Sequence, residues 1–247
     1  MTTPLNRCAI IMLTSGLSRR YGWKDKLLEE LGGKHLMEHA ASVIMSVEAL
    51  VRVAVCPADK PEISDRLIER FVVALNKKPK MGLGHSIAVG VDVALKFKPD
   101  AMIFCMADMP FVEGWIIENL AMRLGGSGGA EVVHCGGTDG VRPPTAFSAS
   151  CFEELRALDG DDGAKRIIAS GRHNVLGISA PAPLLFDVDT RDDLDLARKQ
   201  FEIRERHEPG KRTSAQADDS QLPAMTLQHP DESDGAGLRQ SGFAARR

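Results

Sequence analysis

The chain has 247 residues, which is long enough for one sizeable α/β core or at most two small ones. Its net charge of −3 and sequence pI near 6.2 argue against a nucleic-acid binder. No run of about 18 apolar residues occurs, so no membrane span is expected. The five cysteines are scattered without C-x-x-C spacing, which fits a reduced, cytoplasmic protein without a structural zinc site. An anionic ligand would therefore have to be bound by charges placed locally.

Short apolar runs alternate with amphipathic segments along most of the chain. The pattern predicts strands at 8–13, 51–57, 101–108 and EVVHC, and helices at 35–50, around PEISDRLIERF, at 85–97 and at 113–124. Near-continuous apolar strands separated by helices of about 10–15 residues are typical of an α/β fold with a parallel sheet covered on both faces. Ligands bind such sheets at the carboxyl ends of the strands.

The composition changes after about Arg204. The remaining residues are rich in Pro, Gly, Ser, Asp and Gln, show no apolar periodicity and include one aromatic residue, Phe243. Such a segment cannot bury enough apolar surface to offset the entropy lost on ordering. We therefore predict one domain over 1–204 and a disordered tail over 205–247.

The turn that follows the first strand is crowded with positive charge. Thr14, Ser15 and Gly16 are small enough for a ligand to approach the backbone, whose N–H groups can form an anion-binding concavity. Arg20 offers a planar fork for phosphate oxygens and Lys26 a movable point charge. The turn matches neither G-x-G-x-x-G nor G-x-x-x-x-G-K-[ST]. It is either a phosphate-binding turn of another kind or a solvated polar loop.

Acidic residues follow two later apolar runs. Asp108 ends AMIFCMAD, where its carboxylate would repel a phosphate at the charged turn unless a cation lay between them. Mg²⁺ is typically held by one or two carboxylates plus substrate phosphates. Asp187 and Asp189 follow another run and are either a second source of metal ligands or solvated acids. Thr190, with Asp193 three residues later, is predicted to cap a last helix.

Five segments together resemble the molybdenum cofactor nucleotidylyltransferase family. LTSGLSRRYG resembles that family's L-A-A-G-x-S-x-R-M-G signature, and MGLGHSIAVGV its G-x-x-x-S-[IVL]-x-x-G segment. MADMPFV is similar to its D-x-P strand end and FDVDTRDDL to its D-I-D-T-P-E-D-L segment. GVRPPTAFSASCFEELRALDGDDGAKRII resembles the cytidylyltransferase branch. The resemblance covers roughly residues 7–200 and implies a Rossmann-like three-layer nucleotidyltransferase fold with a mostly parallel sheet.

The resemblance also implies an activity, which is Mg²⁺-dependent transfer of a nucleoside monophosphate from CTP or GTP to the terminal phosphate of molybdopterin. Pyrophosphate would leave. By position in the motifs, the catalytic residues would be Arg20, Lys26 and Asp108, and the metal ligands Asp108 and Asp189. Nucleotide would contact Leu13, Thr14, Ser15, Gly16, Arg20, Lys26, Gly84, Ser86 and Asp108, and acceptor would contact Arg142, Pro143 and Asp161.

Departures from the family pattern bear mainly on the choice of substrates. Ser15 stands where the guanylyl branch has Gly and leaves less room for a purine, and the RPP and GDDGA segments also favour CTP. Lys24 is a rival to Lys26 for the phosphates because the spacing from Gly22 differs from that of many members. The alternatives are a guanylyltransferase, a transferase for another phosphorylated acceptor, and a non-catalytic carrier of molybdopterin. A molybdenum hydroxylase, or its accessory protein, is the expected transient partner.

Overall fold

A computed structural model describes residues 3–14, 21, 25–126, 128–136 and 140–207. The strands are β1 Cys8–Leu13, β2 Glu30–Leu31, β3 Lys34–His35, β4 Val51–Pro57, β5 Val72–Asn76, β6 Ala101–Met106, β7 Val132–Cys135, β8 Arg142–Ser148 and β9 Val175–Ile178. The helices are α1 Leu36–Ser46, α2 Pro61–Ser64, α3 Leu83–Ala94, α4 Gly114–Arg123, α5 Phe152–Arg156, α6 Lys165–Ala169 and α7 Arg191–His207.

Seven strands form one central sheet in the order β5-β4-β1-β6-β8-β7-β9. Strands β5, β4, β1 and β6 run parallel to one another. Strand β8 is antiparallel to both of its neighbours, β6 and β7, and β7 is parallel to β9. The mostly parallel sheet expected from the sequence is therefore confirmed, and the carboxyl ends of β5, β4, β1 and β6 share one edge.

The continuous apolar character of β1 reflects burial on both of its faces, because successive side chains of a strand point to opposite sides. Cys8, Ile10 and Met12 belong to one core cluster, which also contains residues of α1 and α4. Ile11 and Leu13 belong to the other, which contains residues of α3 and α5. The fold consequently has three layers, with the sheet between two layers of helices.

The structure differs from the sequence predictions at several elements, and it adds elements that were not predicted, namely β2, β3, β5, β8, β9, α5 and α6. The helix predicted around PEISDRLIERF is the short α2, followed by turns. Strand β5, which was not predicted, is a five-residue strand at the edge of the sheet. Strand β8 was also not predicted, because it opens with Arg142-Pro143-Pro144 and proline is disfavoured inside sheets. Its prolines are tolerated at the start of the strand, where the Pro143–Pro144 peptide bond is cis.

The last helix packs on the small β2–β3 hairpin through a separate apolar cluster. This cluster includes Leu31, Phe111 and Leu194, with Phe201 packed against it. Helix α7 runs to His207, past the predicted domain boundary at 204, and the rest of the predicted tail lies outside the described residues. Among the described helices, none combines the length and the apolar character that crossing a membrane requires.

Glu131 gives the fold a predicted dependence on pH at the amino end of β7. The Ser150 hydroxyl donates to its carboxylate, and so does the Asn174 N–H at 3.2 Å. These hydrogen bonds hold the pKa of Glu131 below its ordinary value of 4.5. Because the folded pKa is the lower one, this stabilisation is present above the unfolded pKa and is lost as pH falls through the folded pKa.

Glu131→Gln is therefore expected to lower the thermal midpoint at pH 7 by about 2–4 °C, because it removes a charge-assisted hydrogen bond. The difference from the wild type should shrink when melting is measured below pH 4. Glu153→Gln is the matched control, since Glu153 is exposed on α5. An equal difference from the wild type at pH 3 and pH 7 would contradict this expectation.

Candidate active site

The carboxyl edge of the sheet begins where β1 ends. The Thr14 N–H and hydroxyl both donate to the Val55 carbonyl, at 3.1 and 2.7 Å, and the Ala107 N–H donates to the Leu13 carbonyl at 3.1 Å. These bonds join the ends of β1, β4 and β6 and set the point at which the chain leaves the sheet. Leu13 and Thr14 therefore lie at the predicted edge. The other predicted residues of this turn, Ser15, Gly16, Arg20 and the rival Lys24, lie outside the described residues.

Lys26 lies between two aspartates at this edge. Its Nζ donates to Asp108 Oδ2 at 2.7 Å and to Asp189 Oδ1 at 2.9 Å. The side chains are 6%, 14% and 28% exposed for Lys26, Asp108 and Asp189 respectively. Three residues that the sequence assigned to catalysis and metal binding are thus in direct contact, in a largely dry position.

Two neighbouring residues position Lys26. It opens the 3-10 turn Lys26–Leu28, and the Asp25 carboxylate caps this turn by accepting the Leu27 N–H at 3.0 Å. Lys60, in the connection after β4, donates to the other oxygen of Asp25 at 2.5 Å. The Asp25 side chain is 9% exposed. This largely buried ion pair therefore joins the Lys26–Leu28 turn to the connection that follows β4.

Asp189 is positioned by the start of α7. The Asp193 carboxylate accepts the N–H groups of Asp189 and Thr190, at 3.1 and 2.8 Å. The Asp193 N–H donates to the Thr190 hydroxyl at 3.2 Å, which confirms the predicted cap. The Val188 N–H also donates to the Asp108 carbonyl at 3.0 Å. The cap and this bond together bring Asp189 alongside Asp108.

Thr190→Ala is expected to destabilise the protein by about 1 kcal/mol, because it removes the hydroxyl that caps α7. Urea unfolding measures this change. Thr190→Ser keeps the hydroxyl and should remain close to the wild type. A Ser variant as unstable as the Ala variant would show that the Thr190 methyl group, rather than the cap, stabilises the helix start.

The ion pair sets the protonation of the cluster. Burial alone would lower the pKa of Lys26, but the charge of Asp108 and the hydrogen bonds to both carboxylates outweigh it, so the pKa is raised above that of an ordinary lysine. Lys26 is therefore an ammonium ion at neutral pH. The pKa of Asp108 is raised above its ordinary value. Burial is the largest cause, the charges of Asp189 and Asp187 add to the increase, and the charge and hydrogen bond of Lys26 oppose it. A strong positive charge beside Asp108 would favour its ionised form.

Ser86 lies in a buried polar network at the start of α3. Its hydroxyl accepts from Asn76 Nδ2 at 3.0 Å and donates to the Gly82 carbonyl at 3.3 Å. Asn76 also accepts the Lys78 N–H at 2.8 Å and is fully buried. Asn76 was missed in the sequence, although a polar residue ending the apolar run VVAL was a usable signal. It fixes the loop in which the sequence places nucleotide contacts.

Gly84 is held against the loop that contains Asp161. Its N–H donates to the Gly160 carbonyl at 2.8 Å. A Cβ added at Gly84 would lie 2.7 Å from the Asp159 carbonyl oxygen, and one added at Gly82, where φ is +97°, would lie 2.5 Å from an Asp161 carboxylate oxygen. The structure therefore brings the MGLGHS and GDDGA motifs together. It gives Gly84 a packing role, while its contact with nucleotide stays a prediction.

Arg142 and Pro143 lie at the same edge of the sheet as the ion pair. Strand β8 is antiparallel to β6 and pairs Thr145 with Phe104, so its first residues extend beside the carboxyl end of β6. Arg142 is exposed. The position fits the predicted acceptor contacts, which stay a prediction.

Asp108 and Asp189 suit a hard divalent cation such as Mg²⁺. Their oxygens converge on one positively charged atom, Lys26 Nζ. No group of three or more His, Cys, Asp or Glu side chains able to hold a metal occurs within the described part of the chain. Two carboxylates nevertheless fit Mg²⁺, because proteins often hold this ion by one or two carboxylates and leave the other positions to substrate phosphates and water.

A three-layer α/β fold with a lysine and two aspartates at the carboxyl ends of its parallel strands places the chain among the α/β proteins that bind ligands at that end of the sheet. The chain belongs to the MobA-like NTP transferase domain family, whose model matches residues 10–175. It is accordingly a nucleotidyltransferase of that family.

Two curated proteins are similar to the chain. Purine catabolism protein PucB of Bacillus subtilis (strain 168) is 26% identical over 206 residues, which are 76% of this chain and 95% of the relative. Phosphoenolpyruvate guanylyltransferase of Sphaerobacter thermophilus is 27% identical over 168 residues, which are 65% of this chain and 75% of the relative.

Solved structures share the fold. The molybdopterin-guanine dinucleotide biosynthesis protein A of Archaeoglobus fulgidus superposes with a TM-score of 0.59 at 21% identity, covering 79% of this chain and 99% of that chain. A Mycobacterium tuberculosis protein solved as a complex with manganese gives 0.62 at 20% identity, covering 78% of this chain and 98% of that one. These likenesses confirm the Rossmann-like nucleotidyltransferase fold expected from the sequence.

Proposed function

We propose that the protein transfers CMP from CTP to the terminal phosphate of molybdopterin, with Mg²⁺ as cofactor and pyrophosphate as the second product. The observation that carries the proposal is the contact of Lys26 with Asp108 and Asp189 at the carboxyl edge of the sheet. This edge is where α/β sheets bind nucleotides. The neighbouring turn supplies the cationic residues of the family signature.

The residues divide the chemistry between them. An oxygen of the acceptor phosphate attacks the α-phosphorus of CTP, and the bond from that phosphorus to the bridging oxygen of the leaving pyrophosphate breaks. The Lys26 ammonium, with Arg20, would neutralise charge that builds on the leaving group. Asp108 and Asp189 would hold Mg²⁺, which supplies Lewis acidity at the phosphoryl oxygens. The attacking oxygen is already anionic, so no strong general base is needed.

Pyrophosphate release provides the direct test. The full chain is incubated with Mg²⁺, molybdopterin and each labelled nucleoside triphosphate in turn. We expect release with CTP to exceed release with GTP, because Ser15 stands where the guanylyl branch of the resembling family has Gly. No release with any nucleotide would reject the proposal.

Nucleotide choice is also measurable without the acceptor. A ligand that binds the native state raises the thermal midpoint by mass action. In the presence of Mg²⁺ we expect CTP, at 100 times its Kd, to stabilise the protein by about 2.7 kcal/mol. UTP serves as the control for base selectivity. A larger shift with GTP than with CTP would assign the protein to guanylyl transfer.

The Sphaerobacter thermophilus relative favours a second candidate. That protein is described as a phosphoenolpyruvate guanylyltransferase, so GTP and a small phosphorylated acceptor form the alternative substrate pair. The molybdopterin-guanine dinucleotide biosynthesis protein A of Archaeoglobus fulgidus supports molybdopterin as the acceptor and guanine as the base. A screen of phosphorylated acceptors at fixed CTP and fixed GTP separates the two. The proposed receiver of the product is a molybdenum hydroxylase or its accessory protein.

A further inference from the structure

We propose that Lys26 is an internal counter-ion that competes with the divalent metal for Asp108 and Asp189. In the absence of metal and nucleotide, its ammonium holds both carboxylates. When metal and nucleotide bind, the Lys26 ammonium leaves the two carboxylates, which would then bind the metal, and contacts the phosphates of the nucleotide instead. The inference rests on the proposed function, because it takes these aspartates as the metal ligands.

The contacts of Lys26 show why Asp108 and Asp189 need a neighbouring cation even when no metal is bound. One ammonium contacts an oxygen of Asp108 at 2.7 Å and an oxygen of Asp189 at 2.9 Å. Two carboxylates this close together, in a position where Asp108 is 14% exposed, would repel each other and lack full hydration. The ammonium balances one of the two negative charges, and the domain can therefore fold without metal.

The same contacts disfavour simultaneous binding of these two oxygens by the ammonium and a metal. An ammonium has hydrogen atoms directed at its acceptors and accepts nothing in return. A divalent ion bound through the same oxygens would lie against this positive charge, and the two cations would repel each other. Lys26 therefore lowers the affinity of the nucleotide-free protein for metal.

The surrounding structure allows the side chain of Lys26 to move while its backbone stays in place. Asp25 caps the turn and is paired with Lys60, so the Cα of Lys26 is anchored at the sheet edge. The four-carbon stem of a lysine is flexible, and its ammonium can exchange one set of oxygens for another. Phosphates of a bound nucleotide would offer that second set. One residue thus serves both as the counter-ion seen here and as the phosphate contact implied by the family signature.

The test measures the binding of Mn²⁺ to the nucleotide-free full-length protein. The electron paramagnetic resonance signal of free Mn²⁺ reports how much of the ion remains unbound. Lys26→Met removes the ammonium and keeps most of the apolar stem. We expect it to lower the Kd for Mn²⁺ about tenfold or more. Lys77→Met is the matched control, because Lys77 is exposed and directly follows β5 at the same edge of the sheet, so this variant removes the same charge without disturbing the anchor of Lys26. Its Kd should stay within about threefold of the wild type.

Thermal melting in EDTA supplies a second readout. Lys26→Met should melt below the wild type in EDTA and regain most of the difference on addition of Mn²⁺. Lys26→Arg, which retains a cation, should keep the weak Mn²⁺ affinity of the wild type. A Lys26→Met protein that is unfolded in EDTA and regains its native circular dichroism with Mn²⁺ also supports the proposal.

Two results would overturn it. One is a Lys26→Met protein that binds Mn²⁺ no more tightly than Lys77→Met, and the other is a Lys26→Met protein whose stability does not respond to Mn²⁺. Neither measurement uses nucleotide or acceptor. Tight Mn²⁺ binding by Lys26→Met together with no pyrophosphate release by the wild type would therefore reject the proposed function and leave the counter-ion role standing.

Discussion

Asp108→Asn is expected to lower kcat for pyrophosphate release by about 100- to 1,000-fold, with the fold retained. Asparagine has nearly the shape of aspartate but lacks the negative charge that would hold the metal and that pairs with Lys26 at 2.7 Å. Steady-state kinetics at saturating Mg²⁺ and nucleotide measure the change. Circular dichroism verifies that the variant is folded.

Asp187→Asn provides the control for a general change in charge. Asp187 lies two residues before Asp189 but is exposed. Among the causes that shift the pKa of Asp108, the charge of Asp187 is the smallest. We expect its kcat to stay within about threefold of the wild type. Full activity of Asp108→Asn would show that Asp108 is not a metal ligand in catalysis. Equal losses in the two variants would show that the loss follows from the acidic charge near Lys26 rather than from Asp108 in particular.

Gly84→Ala is expected to destabilise the protein by about 1–3 kcal/mol. The added Cβ would lie 2.7 Å from the carbonyl oxygen of Asp159 and 2.9 Å from its carbonyl carbon, and backbone atoms cannot rotate away as a side chain can. The Gly84 N–H bond to the Gly160 carbonyl, at 2.8 Å, would lengthen as the two segments separate. Urea unfolding measures the loss of stability.

Gly128→Ala is the control for the general effect of adding a methyl group. Within the described part of the chain, a Cβ at Gly128 meets no atom within 4 Å, so this variant should be as stable as the wild type within about 0.5 kcal/mol. Equal stabilities of the two variants would show that the Asp159–Asp161 loop moves away freely from α3. In that case the contact between the two motifs would not be needed for the fold.

Local patterns were sufficient for much of the sheet. The strands predicted at 8–13 and 51–57 coincide with β1 and β4, because buried parallel strands are apolar at nearly every position. Strand β8 was not predicted, because proline is disfavoured inside strands and β8 contains two prolines. Both prolines lie among its first three residues, where the sheet tolerates them. Helix α2 was predicted too long, since amphipathic spacing alone does not reveal that the chain turns after Ser64.

The candidate site residues were proposed from the sequence, since the family signature places a cationic turn after one strand and aspartates after two later apolar runs. Their contacts did not follow from it. Lys26 is separated from Asp108 by 82 residues and from Asp189 by 163, and the order of strands that joins them depends on packing across the whole sheet.

The sequence by itself thus determined the fold class, the edge of the sheet at which the candidate site lies and the residue types present there. Only the tertiary structure decided that Lys26 binds both aspartates, that Asp25 and Lys60 anchor it, and that Asn76 fixes Ser86. The physical reason is that residue type and periodicity are local properties, whereas an ion pair in a dry position depends on which distant segments exclude water together.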